Sequence, residues 1–498
     1  VTGASNHQLG GIISKTDGST QVIGCKNYGT ITAGGAYVDN IGGIIANPNG
    51  NSTDKGEDKP LIKDCYNYGN IVVTKAVSDA EATPMALGGI VGKLTGATVE
   101  NCHNQGNISS VCDVLTAMGG VVGAHALSFE SKIIGCSNGV QGNSEKGILT
   151  FAPEAATQQM VLGGILGRHH SPKADTNAPG KLTVQNCNNY APIATSYIKM
   201  RNVGGVVGAI ALDDVTIAAT NVEMLIDQCH NHGAITIGGT GSYQDLQRQI
   251  GGIVGVVSGS DNAVTISNCT NNAVISTTAT NGGEHKMAGI VGYAYSGTIL
   301  VSKCTNNGEI KATGSAKNPR PAGIASVIDG TGVTISGCYN KAKISTASST
   351  GNVYIGGIVA YSVKTTITDC HNEGRVEVTK TGGQIRMGGV AGQQTTSGKV
   401  LQCTNSSDVY CSANYVNAES QIGGIVGYSA TSAQIKNCTN KSTATITVTG
   451  ASWNPRIGGV VGIAESVTLT DNVNEGHVTT STVTADGTNK WTNLVVGK

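Results

Sequence analysis

Arg168, His169 and His170 stand side by side, Asp175 follows within the same stretch, and the dipeptide Asp213-Asp214 comes further along. Imidazoles and carboxylates gathered in this way are ligands for a divalent ion or polar partners for a sugar. Adjacent Asp213 and Asp214 would point to opposite faces of a strand, so they are not the carboxylate pair at fixed separation that glycoside hydrolysis requires. The sequence holds no Gly-x-Ser-x-Gly, His-Glu-x-x-His, Walker or Gly-Gly-x-Gly-x-Asp pattern, and no CxxC spacing that would suggest zinc. The expectation is a protein without a catalytic residue, a metal site or a cofactor, in which those six residues are the candidate binding positions. The function of such residues depends on the elements that carry them, and the sequence is informative about those.

Glycine makes up 71 of the 498 residues, and only 13% are Asp, Glu, Lys or Arg. Lys+Arg and Asp+Glu both number 32, so the net charge is zero and nothing marks the chain for nucleic acid or an anionic membrane surface. Two Phe and two Trp cannot supply an aromatic core, which leaves burial to Ile, Val and Leu. No apolar run is long enough for a membrane-spanning helix, so direct membrane insertion is not expected, and the first residues lack the layout of a signal peptide.

A repeat dominates the chain. An apolar residue, then Gly-Gly or Ala-Gly, then an apolar pair recurs thirteen times, with the small pair beginning at Gly10, Gly42, Gly88, Gly119, Gly163, Gly204, Gly251, Ala288, Ala322, Gly356, Gly388, Gly423 and Gly458. The mean spacing is about 37 residues, within the range of a solenoid coil. Behind each pair comes Cys-x-Asn, usually followed by x-Gly-x-Ile, as at Cys25, Cys102 and Cys304. Thr- and Ile-rich segments without a helical stripe predict three short strands per unit. Stacking the units in parallel register gives an all-β fold. It is expected to be a right-handed, single-stranded parallel β-helix of about 13 coils of roughly 35 residues, one continuous domain over residues 1–498 and about 60 Å long at ~4.8 Å per coil.

Aligned unit by unit, the positions differ in strictness. The second Gly of the pair is invariant, which requires either a positive φ or the absence of a side chain, whereas Ala288 and Ala322 show that the first position accepts a Cβ. Three residues after the second Gly the column is Gly, Ser or Ala, so smallness is what matters there. Asparagine is invariant after Cys-x: Asn27, Asn67, Asn104, Asn138, Asn189, Asn231, Asn271, Asn306, Asn340, Asn372, Asn405, Asn440 and Asn474. An amide at a sharp corner tolerates the left-handed region and can bond the amide one coil away, forming a ladder. Twelve of the fourteen Cys share one column, where parallel side chains disfavour disulfides and free thiols pack as small apolar groups. The residue between Cys and Asn faces outward and includes Lys26, Tyr66, His103, His230, Tyr339 and His371, a ridge whose rings could stack on sugars.

The segments Ile250–Gly255 and Ile422–Gly427, both Ile-Gly-Gly-Ile-Val-Gly, together with the Cys-x-Asn-x-Gly-x-Ile segment behind them, resemble the GLUG-motif repeats of bacterial cell-surface and secreted proteins. The resemblance implies a parallel β-solenoid on the bacterial exterior, and it implies no chemistry, because the motif consists of scaffold residues.

Three units lengthen the stretch between the Gly pair and Cys: the second by a polar loop from Asn47 to Pro60, the fifth from Arg168 to Gly180 and the sixth from Asp213 to Met224. The loops of the fifth and sixth units leave the same corner in consecutive coils, which would let Arg168, His169, His170, Asp175, Asp213 and Asp214 converge. The fourth unit is lengthened after Cys136 instead. At the far end, Asn493–Gly497 begins a further coil, so the chain is expected to be a segment of a longer protein or to associate end to end. The functional expectation is a non-enzymatic extracellular stalk or adhesin at the cell surface, with a glycan or a surface protein as partner. The alternatives are a β-helix carbohydrate-active enzyme, lyase or hydrolase, and a phage tail-spike or filament subunit.

Overall fold

The structure is a computed structural model that describes residues 7–34, 38–50, 59–74, 85–112, 116–126, 130–152, 160–170, 181–196, 200–210, 223–239, 247–258, 263–279, 283–314, 318–347, 351–379, 383–412, 420–449 and 455–480. The chain divides into two compact units, Val1–Gly238 with Gly252–Thr265, and Gly239–Gly251 with Ile266–Lys498. Both are built in the same way. Among the described residues there is no helix, and each of the thirteen coils supplies one strand to each of five parallel sheets.

A coil therefore carries five strands rather than the three expected from sequence. In the third coil these are Met85–Gly88, Val91–Leu94, Thr98–Glu100, His103–Asn104 and Ile108–Ser110. The extra strands arise at corners. The small pair splits the Gly-rich segment into a pair strand that ends at its first Gly and a return strand that follows, and a second corner cuts off the two-residue strand that ends in Asn.

That second corner is formed by the residue before Cys, which has a left-handed φ in every coil: Gly24 at 67°, Asp64 at 53°, Asn101 at 50°, Gly135 at 65°, and so on to Asp471 at 52°. Gly, Asn and Asp adopt this region at low cost, and they fill most of the column. Gln228, Lys303 and Gln402 adopt it too, with φ of 52° to 53°. The left-handed residue is thus three positions before the invariant Asn in the chain, and neither the Asn nor the second Gly of the pair has a positive φ.

What the second Gly needs is space. A Cβ on Gly89 would lie 2.1 Å from the carbonyl oxygen of Gly120 and 2.3 Å from Cγ of Asn104, and one on Gly120 would lie 2.2 Å from Cγ of Asn138. The two invariant columns are therefore one feature, a glycine backbone lying flat on the asparagine side chain of its own coil. The first Gly is also confined, since a Cβ on Gly88 would lie 1.8 Å from the carbonyl oxygen of Val91. Tolerance of Ala at this position is local: Ala288 and Ala322 pack with Ala360 and Tyr354. Further along the return strand, a Cβ on Gly92 would meet the backbone of Ile41 at 2.9 Å, which accounts for the column of small residues.

The interior is aliphatic, as the scarcity of Phe and Trp demands. Leu87, Met118, Leu162 and Val203 in the first unit, and Met287, Ile355, Met387 and Ile422 in the second, are fully buried just before the small pair. Strands such as Ala263–Ser267 alternate outward and buried residues, the period-two pattern of a sheet with one face on a core. Each buried aliphatic side chain contributes roughly 1.5–3 kcal/mol.

Candidate functional site

The asparagine ladder is present in both units. In the first, each Nδ2 donates to Oδ1 of the next coil along Asn27, Asn67, Asn104, Asn138, Asn189 and Asn231, at 2.8 to 3.1 Å. In the second the chain of amides runs from Asn271 through Asn306, Asn340, Asn372 and Asn405 to Asn440 and Asn474, at 2.7 to 2.9 Å. The other hydrogen of each Nδ2 reaches the carbonyl two residues on, as from Asn104 to Gly106 at 2.9 Å. The lengthened fourth unit keeps this bond by bringing Gly147 to Asn138, at 3.0 Å.

None of the fourteen cysteines is in a disulfide, and all but Cys25 are buried. Cys102 donates from Sγ to the carbonyls of Glu100 and Ile62, at 3.3 and 3.5 Å. Burial pushes the Cys136, Cys304 and Cys370 thiols well above their ordinary range, so they stay protonated at neutral pH.

The six residues singled out from the sequence fare differently. Arg168, His169 and His170 do not begin a loop; they complete the return strand Leu166–His170. His169 is fully buried and Arg168 is 7% exposed. Neighbours on a strand point to opposite sides, so the two do not face a common ligand. Nδ1 of His169 lies 2.8 Å from Nδ1 of His125 one coil earlier, and the rings stack at 4.9 Å. At that distance one nitrogen donates and the other accepts, so a single proton lies between the two Nδ1 atoms. His125 is absent from the sequence-based candidates, although it occupies the same column as His169, six residues after the first Gly of its pair. Asp175, Asp213 and Asp214 lie outside the described residues.

The outward ridge between Cys and Asn is exposed or half-buried, as expected. Its rings largely occupy one another. His103 tilts over Tyr66 at 5.0 Å, Tyr66 lies against Tyr68 at 6.0 Å, and in the neighbouring column just after Asn Tyr28 stacks on Tyr68 at 4.8 Å and 6°. In the second unit Tyr339 and His371 pair at 4.8 Å. Rings stacked along the coil direction present edges to solvent, which is poor geometry for a sugar.

A different surface concentrates aromatic and cationic groups, in the coils from Glu284 to Glu465 of the second unit. The position two residues before the small pair holds Lys286, Arg320, Tyr354, Arg386 and Gln421, and side chains of the return strands meet them. Nζ of Lys286 lies 3.9 Å from the ring centre of Tyr293. The Arg320 guanidinium lies 5.1 Å from both Tyr354 and Tyr361, and that of Arg386 lies 4.2 Å from Tyr428. Glu284 pairs with Arg320 at 2.9 Å and with Lys286 at 3.8 Å, and Tyr428 donates to Glu465 at 2.7 Å. Burial lowers the Lys286 ammonium to about 8, against the opposing pull of Glu284. The thirteen-fold repeat does not mark this strip, because its residue types change from coil to coil and tyrosine recurs four residues after the second Gly only in alternate pairs.

Comparison with known families matches the GLUG motif at residues 83–109 and 418–449. Each match covers one coil, from the pair strand into the strand that follows Asn, and the parallel β-solenoid is consistent with a GLUG repeat protein. Neither the curated proteins nor the solved structures returned a match.

Proposed function

We propose that this protein is a non-enzymatic scaffold of the bacterial exterior, a stalk or adhesin that presents its surface to glycans or proteins. The observation that carries this reading is the direction of the recurring chemistry. The Asn, Gly and Cys columns turn inward and satisfy one another, while the outward position between Cys and Asn varies through Lys26, Tyr66, His103, Ser137 and Asn188. A repeat that fixes its interior and leaves its exterior free suits display better than catalysis. The exterior location is part of the proposal and comes from the resemblance of the repeats to GLUG-motif proteins.

The test is a glycan array read alongside an assay for released product. Binding without any shortened product is the expected result. Product release abolished by Asp213→Ala or Asp214→Ala would replace this reading with that of a carbohydrate-active enzyme. Concentration-dependent assembly in light scattering, with no ligand bound, would instead favour a filament subunit.

A further inference from the structure

We infer that the tyrosine strip of the second unit binds an extended, neutral β-1,4-linked polysaccharide lying along the direction in which the coils stack. The return strands place Tyr293, Val327, Tyr361, Gln393 and Tyr428 in direct register, one per coil. Tyrosine thus recurs at every second coil. With neighbouring strands ~4.8 Å apart, the rings repeat every 9–10 Å or so. That is close to the disaccharide repeat of a fully extended β-1,4-linked pyranose chain, in which alternate residues present the same face. Between the tyrosines, Val327 and Gln393 are 1% and 5% exposed and leave the intervening coils low.

The rings are oriented by what lies beneath them. The Lys286 side chain is only 5% exposed and sits against Tyr293, and that of Arg320 is 15% exposed and sits against Tyr361. A cation against one side of each ring, with Tyr354 edge-on to Tyr361 at 5.7 Å, leaves the rest of the ring to the outside, and Tyr293, Tyr361 and Tyr428 are all partly exposed. This differs from the column just after Asn in the first unit, where Tyr28 and Tyr68 stack on each other. Arg386 and Gln421, joined at 3.1 Å, supply polar groups beside the rings for sugar hydroxyls.

Charge selects the class of glycan. Glu284 pairs with both Lys286 and Arg320, Asp329 acts on Lys286, and Glu465 accepts from Tyr428, so three carboxylates offset the three cations Lys286, Arg320 and Arg386, and an anionic chain would have to compete with them. Stacking against the apolar face of a neutral pyranose needs no such displacement. The site deepens the scaffold reading, on which it rests only in requiring binding without turnover.

Titration calorimetry of the full chain with cellohexaose, mannohexaose and their disaccharides tests it. At least one hexaose is expected to bind about tenfold or more tightly than its disaccharide, because only the longer chain reaches two tyrosines. Tyr361→Ala is expected to weaken that binding about tenfold, while Tyr361→Phe and the remote Tyr190→Ala leave it within about twofold. Circular dichroism of each variant separates loss of the site from loss of the fold. Failure of both hexaoses to bind, equal affinity for hexaose and disaccharide, an equal effect of Tyr190→Ala, or tighter binding of hexagalacturonate would each overturn the assignment. Hexaose that binds but is recovered shortened would overturn the scaffold reading and leave the site intact.

Discussion

Arg248 donates from Nη1 to Nε2 of His285 at 2.9 Å, and both side chains are buried within the second unit. An acceptor nitrogen is an unprotonated one, so the contact exists only with neutral His285. Burial and the adjacent Arg248 charge lower the imidazole from 6.5 to about 3. The unfolded chain takes up this proton near pH 6.5, whereas the folded chain does not until about pH 3. The contribution to stability is therefore complete above about pH 6.5 and is lost as pH falls, with a slope of up to about 1.4 kcal/mol per pH unit. Urea unfolding of His285→Leu should show a shallower pH dependence than the parent between pH 6.5 and 5. Equal slopes would rule this out.

Asn104 is fully buried, donates to Asn138 and Gly106, and accepts from Asn67 at 2.8 Å. Replacing it by Ala strands the Asn67 donor on the coil before and the Asn138 acceptor on the coil after, at a cost of about 2–4 kcal/mol. Asn307, which donates to Asn272 at 2.8 Å on the exposed surface, makes the control, because water replaces its partner and Asn307→Ala should cost less than about 0.5 kcal/mol. Comparable losses for the two variants in denaturant titration would show that the buried ladder has no special weight.

The corners separate two kinds of glycine. Gly89→Ala drives a methyl into backbone and amide atoms around it, with an expected cost of about 3 kcal/mol or more. Gly24 has a φ of 67° and nothing within 4 Å of the place a methyl would occupy, and its column elsewhere carries Asp64 and Asn101. Gly24→Asn is accordingly expected to change stability by less than about 0.5 kcal/mol. Thermal melts of the two variants decide the point, and a harmful Gly24→Asn would refute the account of that corner.

The thiols give a chemical check. With only Cys25 partly exposed, a thiol-specific reagent should label at most that residue in the native protein, and all fourteen after denaturation. Rapid native labelling of Cys304 or Cys370, followed by mass spectrometry, would contradict their burial.

The repeat is legible because each coil solves the same packing problem with the same residues, so the pair of glycines, the cysteine and the asparagine declare the coil and the parallel stacking. The corner before Cys is legible too, in a column of Gly, Asp and Asn, yet the left-handed φ belongs to that column and not to the invariant asparagine, whose strictness comes from its amide bonds. The candidate site is far less visible. Arg168 and His169 look like the start of a polar insertion, but register with Val122–Ala126 continues the strand through them and turns His169 inward against His125.

Sequence alone determined that this chain is a parallel β-solenoid and which residues build its interior, since burial and amide pairing must recur with every coil. Only the tertiary structure decided which outward residues act together. Lys286 and Tyr293 meet because two strands of one coil fold toward each other around a small pair, Arg386 and Tyr428 meet because adjacent coils also stack, and Tyr293 and Tyr361 share a line because three coils are in register. Such neighbours are set by how coils stack and turn, and no local pattern of residues records that.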